Sequence, residues 1–99
     1  MKYEPKPLPF TKKLEGISEK TMQIHHDKLY VGYVNKRNEI IDKLATVDRS
    51  NINATYSDYR ELKLEETFTT NAQYLHEYYF SILGGEGKPE GELIQAIEA

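Results

Sequence analysis

Ninety-nine residues suffice for one small domain, and 38% hydrophobic against 29% charged residues is a globular balance rather than a disordered one. The net charge of −3, with acidic and basic residues interleaved, argues against nucleic acid or an anionic membrane as partner. The absence of cysteine excludes disulfides, thiolate metal sites, iron–sulfur clusters and cysteine nucleophiles, so any transition metal must be held by imidazole nitrogen or carboxylate oxygen.

Residues 1–17 read as an extended arm, because Pro5, Pro7 and Pro9 fall at alternate positions and push their neighbours toward extended backbone. Leu8 and Phe10 are expected to pack on something apolar. The opening segment has no run of signal-peptide type and no later stretch approaches membrane-spanning length, which makes the cytoplasm the expected location.

Ser18 is a good N-cap with Glu19 in the first turn, and the spacing predicts a helix over 18–47. Met22, His25, Leu29, Tyr33, Ile40 and Leu44 form its expected buried stripe, interrupted where Lys36 and Arg37 leave the middle exposed. Asp48 to Asn53 is a turn by composition. Tyr56, Tyr59, Leu62 and Leu64 suggest a short helical turn. A second long helix is predicted over 64–83, with Phe68, Leu75, Tyr79, Ile82 and Leu83 on its buried side and Gly84-Gly85 as its stop. Residues 91–99 begin a third helix. The expected fold is all-α: one domain over 1–99, built as a long antiparallel helical hairpin with an extended N-terminal arm and a short C-terminal helix.

That topology has a chemical consequence. The start of the first helix lies beside the end of the second, and His25 and His76 are nearly equidistant from the turn at Ser50 and Asn51. Folding the chain there brings them level. Adjacent helical residues point about 100° apart, so His25 and His26 cannot both face one interior site; the stripe assigns the inward direction to His25. Two imidazoles among aromatic side chains suit a redox metal, although a histidine on an apolar face also serves as an ordinary hydrogen-bonded core residue. Lys63, Glu65 and Glu66 read as a solvated face. Gly84-Gly85-Glu86-Gly87 follows no strand and fails as a phosphate loop.

Three motifs then carry a resemblance. The runs Leu8-Pro9-Phe10, Leu14-Glu15-Gly16-Ile17-Ser18, Thr21-Met22-Gln23-Ile24-His25-His26-Asp27-Lys28 and Tyr33-Val34-Asn35 resemble the opening of iron/manganese superoxide dismutases. Asn71 to Phe80 (NAQYLHEYYF), followed by Leu83, resembles that family's second-helix motif, and Lys88 to Ile97 its linker and third helix. The resemblance implies that His25 and His76 are metal ligands and that Tyr33 is the tyrosine at the mouth of the substrate channel, taking part in proton delivery. It implies a single iron or manganese ion per full-length subunit and superoxide as substrate, converted to oxygen and hydrogen peroxide. It further implies that one aspartate and one histidine come from a C-terminal α/β domain, so this chain, carrying half of the protein ligands, is expected to be inactive alone. Leu29 and Tyr30 stand where a histidine pair is common, Phe80 where tryptophan is usual, and Ala72 where some iron enzymes carry glutamine; these departures leave the choice of metal open.

A second reading stands beside the enzymatic one. The hairpin is then a self-associating helical module, a homo-oligomer through exposed helix faces with weak or no metal binding, or with one four-histidine site shared by two copies.

Overall fold

The computed structural model describes residues 2–99 and is all-helical, with no strand among them. The extended arm leads into α1 (Glu19–Gln23), a wide π-helical segment (Ile24–Tyr30), α2 (Val31–Thr46), α3 (Asp58–Ser81) and α4 (Glu92–Glu98). The first three are consecutive parts of one rod, which packs antiparallel against α3.

Local chemistry sets the ends. Ser18 caps α1, its hydroxyl accepting from Thr21 N at 3.1 Å. Ser57 caps α3 by accepting from Arg60 N, with Asp58 and Glu61 in the first turn to favour the positive helix end. That cap starts α3 six residues before the position expected from its apolar pattern, and Tyr59, Leu62 and Leu64 belong to this helix rather than to a separate turn. Between the rods, Asp48 accepts from Ser50 N and Oγ, and Asn53 from Thr55 N and Tyr56 N, satisfying the loop backbone. At the far end α3 stops at Ser81, two residues short of the sequence expectation, and Gly84 turns the chain with φ +77°; a Cβ there would meet Leu14 and Phe10 of the arm at 3.4 and 3.6 Å.

The wide segment changes which residues face inward. Val31 N donates to His26 O, five residues back instead of four, so one surplus residue is absorbed between α1 and α2. The buried set runs Met22, Tyr30, Val34, Arg37, Ile40 and Leu44. Leu29, expected inside at strict α-helical spacing, is pushed out and is 50% exposed.

Arg37 is the second reversal. Expected at an exposed interruption, it is buried, and its NH1 donates to Gln73 Oε1 at 3.0 Å while the guanidinium stacks 3.6 Å over the Tyr3 ring. Gln73 Nε2 donates to Glu77 Oε2 at 3.1 Å, and the Tyr30 hydroxyl donates to the same oxygen at 2.7 Å. A polar chain thus crosses the hairpin from α2 through α3 to the wide segment, fully paired, as burial requires.

On α3 the inward face is Thr69, Gln73 and Phe80, flanked by His76 and Glu77. The expected apolar side is largely outside: Phe68, Leu75 (66% exposed), Tyr79 and Ile82 (77% exposed) line an uncovered face, and only Leu83 joins the core. The arm closes the assembly. Tyr3, Leu8, Phe10, Leu14 and Ile17 pack on Met22, Tyr30, Val34 and Phe80, and Asn38 grips the Tyr3 peptide from both sides at 2.8 Å. Lys2 forms an ion pair with Asp42.

Two measurements check this packing. Ser57→Ala removes the cap of α3 and is expected to lower stability by about 1 kcal/mol, whereas Leu75→Ser on the uncovered face changes it by less than about 0.5 kcal/mol in urea unfolding. Burial pushes the Tyr30 phenol up to about 12 from 10.0, with Glu77 adding to the rise against the opposing Lys6 backbone hydrogen bond. The fold therefore favours the protonated phenol. Its contribution is complete below pH 10, where neither state ionises, and is lost as pH climbs toward 12, where the unfolded chain gives up the proton first. Stability should fall by on the order of 2 kcal/mol over that window, and Tyr30→Phe should flatten the decline.

Candidate metal centre

The wide segment and the last third of α3 meet where the two long rods come together near the arm. His25 is carried by the wide segment and His76 by α3, and their rings sit edge to face with centroids 4.9 Å apart. Aromatic side chains wall the pair. Phe80 lies 5.2 Å and Tyr79 5.3 Å from the His25 ring, while Tyr33 lies 5.4 Å from the His76 ring. Tyr30 stacks nearly parallel to His76 at 6.4 Å.

The hydrogen bonds distinguish the three histidines. His76 Nδ1 donates to Ala72 O at 2.7 Å, one turn back on its own helix. A carbonyl can only accept, so the ring proton sits on Nδ1 and the Nε2 lone pair is left for another partner. Burial, with the His76 ring beside it, holds the His25 imidazole below its usual value and so favours the neutral, donor-capable form. His26 is different. Its Nε2 donates to Lys6 O at 2.7 Å and its Nδ1 lies 2.7 Å from Asp27 Oδ1, so both nitrogens are committed. It serves the arm, not the histidine pair.

Tyr33 stands beside this pair, half-buried, its ring 6.0 Å from Phe68. The three residues singled out from the sequence, His25, His76 and Tyr33, are therefore neighbours. No group of three or more histidine, aspartate or glutamate side chains converges among the described residues, so two imidazoles are what this chain offers an ion. The surrounding polar chain, Arg37, Gln73, Glu77 and Tyr30, was not anticipated. A signal existed in Gln73 and Glu77, four apart on one helical face, and in Tyr30, four residues after His26 and four before Val34.

No helix is long and apolar enough to cross a membrane among the described residues. Residues 2–84 match the family profile described as iron/manganese superoxide dismutases, alpha-hairpin domain. A superoxide dismutase (Fe) of Aquifex pyrophilus is 48% identical over 102 residues, covering 98% of this chain and 48% of that protein. One from Cupriavidus metallidurans is 41% identical over 99% of this chain and 49% of its own length. A mitochondrial superoxide dismutase (Mn) of Eptatretus stoutii is 33% identical over 83% of this chain and 56% of its own length. The chain spans about half the length of the iron relatives that it matches. The match over residues 2–84, which include the whole helical hairpin, places the chain in the iron/manganese superoxide dismutase family, as its α-hairpin domain.

Proposed function

We propose that the hairpin supplies half of a superoxide dismutase metal centre, with His25 and His76 as ligands and Tyr33 as the proton-bearing side chain beside them. The observation that carries this reading is the ring pair 4.9 Å apart, one member of which has its Nδ1 tied back to Ala72 O. That donor set fits a first-row redox metal: two imidazoles, one with an Nδ1 hydrogen bond to backbone, in a wall of aromatic rings that thins the solvent. Iron or manganese bound there would supply the one-electron exchange that turns superoxide into oxygen and hydrogen peroxide. His25 and His76 would hold the ion, and Tyr33 would keep a phenolic proton beside it. The two remaining protein ligands come from outside the hairpin, and the 99 residues alone are inactive. The cytoplasm is the location that goes with this reading.

A second reading rests on the uncovered face of α3. Phe68, Leu75, Tyr79 and Ile82 are too large a group of exposed apolar side chains for a solitary helix pair, and self-association would cover them. Sedimentation of the natural chain against Leu75→Glu separates the two: a metal-free oligomer dispersed by the substitution favours plain packing, and one ion per two chains favours a shared four-histidine site.

In an assay of superoxide decay with free metal removed, the 99-residue chain is expected to show no activity. Fused to the C-terminal half of the Aquifex pyrophilus relative it should become active, and His76→Ala should abolish that gain. Robust activity from the chain alone would overturn the division of ligands. Manganese(II) titrated into the chain should broaden the His25 and His76 ring-proton resonances, and either His→Ala change should weaken the interaction at least about tenfold.

A further inference from the structure

The backbone of Lys6, in the arm, makes two hydrogen bonds to side chains one turn apart on the wide segment that carries His25. Its N–H donates to the Tyr30 hydroxyl at 3.0 Å, and its carbonyl accepts from His26 Nε2 at 2.7 Å. Tyr30 is the ring stacked on His76, and His26 is the chain neighbour of His25. One residue of the arm is therefore bonded, through its own N–H and carbonyl, to the ring that backs His76 and to the histidine one turn before it on the wide segment.

Both contacts are stiff. Tyr30 is 1% exposed, its ring meets Phe80 edge to face at 5.8 Å, and its hydroxyl is saturated by donating to Glu77 while accepting from Lys6. Glu77 is held in turn by Gln73, and Gln73 by Arg37. Pro5 and Pro7 flank Lys6 and restrict the backbone there to extended conformations, so little entropy is left to lose when its N–H and carbonyl are bound. Tyr3, upstream, is fixed by Asn38 and by the Arg37 guanidinium. The arm is anchored on both flanks of the contact.

We propose that the Lys6 backbone is a positioning clip for the histidine pair: by holding Tyr30, the ring stacked on His76, it fixes how the His76 ring meets that of His25, while its bond to His26 seats the arm. The inference extends the metal-centre reading in purpose only, since the clip is a statement about ring geometry that holds whether or not an ion binds. Tyr30 and Lys6 are positioning residues and touch no substrate.

The backbone origin of the effect makes an unusual pair of variants decisive. Lys6→Ala keeps the N–H and carbonyl and discards only the amine, which lies 3.5 Å from Glu77. Lys6→Pro removes the N–H at a position already flanked by prolines. The readout is the nuclear Overhauser effect between the His25 and His76 ring protons, simple to assign in a chain with three histidines. Lys6→Ala should match the natural chain; Lys6→Pro and Tyr30→Phe should each weaken the cross-ring signal while the Tyr33–Phe68 contact, which reports hairpin pairing, persists. An undiminished cross-ring signal in Tyr30→Phe would overturn the clip, and so would equal loss in Lys6→Ala and Lys6→Pro. Should Lys6→Pro fail to fold, Tyr30→Phe decides, together with exchange of the Lys6 amide in the natural chain. That amide should be protected about tenfold or more against solvent, and exchange at the free-peptide rate would count as refutation. Manganese(II) titration of the same samples keeps the two ideas separate: intact ring geometry without binding defeats the metal reading and leaves the clip standing.

Discussion

Arg37 carries a charge that never leaves the guanidinium, and the fold buries it between two helices and an arm. An unpaired buried cation is destabilising by several kcal/mol, so the surroundings are obliged to answer it. Gln73 answers with its carbonyl oxygen and Tyr3 with its ring face. Once Gln73 is turned toward Arg37, its amide nitrogen faces Glu77, and the Glu77 carboxylate then accepts the hydrogen bond that the Tyr30 hydroxyl donates. The rotational setting of α2 against α3, the seat of the arm and the placement of Tyr30 behind His76 all hang on this one sequence of polar contacts. Apolar packing alone would leave these helices free to slide, because Met22, Val34, Ile40, Leu44 and Phe80 accept many neighbours.

The all-helical hairpin was legible because it depends on coarse signals: a serine cap, long stretches without proline, a polar turn and a double glycine. So was the approach of His25 to His76, which follows from equal distances to the turn. The buried faces were not. Strict α-helical spacing put Leu29 on the inner stripe, but a single surplus residue absorbed between Ile24 and Tyr30 turned it out while keeping His25 and Val34 on the same side. His25 faces inward, then, for a reason different from the one its spacing suggested. No residue in IHHDKLY announces a wide turn, since its hydrogen-bond pattern differs from the ordinary one by one step.

Helix α3 misled in the opposite way. Its large apolar residues, Phe68, Leu75, Tyr79 and Ile82, drew the expected core to one side, and the hairpin is joined instead through Thr69, Gln73 and Phe80. Hydrophobic periodicity reports which surface avoids water in the working state of a protein, not which surface meets a given neighbour. The relatives are about twice as long as this chain, and the uncovered face of α3 lies on the same helix as His76. The inward and outward apolar residues of α3 alternate along one helix, and period alone does not say which set joins the hairpin.

A helical turn with one residue too many also has a bearing on how such chains vary. Residues on either side of Ile24–Tyr30 already sit on the faces that an ordinary helix one residue shorter would give them. Loss of a solvent-side residue such as Lys28 would relax the bulge into regular helix without swinging either flank, whereas the same loss inside α2 would rotate everything beyond it by about 100°. Tolerance to change in length is thus concentrated in the stretch that carries His25, a place where helical interiors ordinarily admit none.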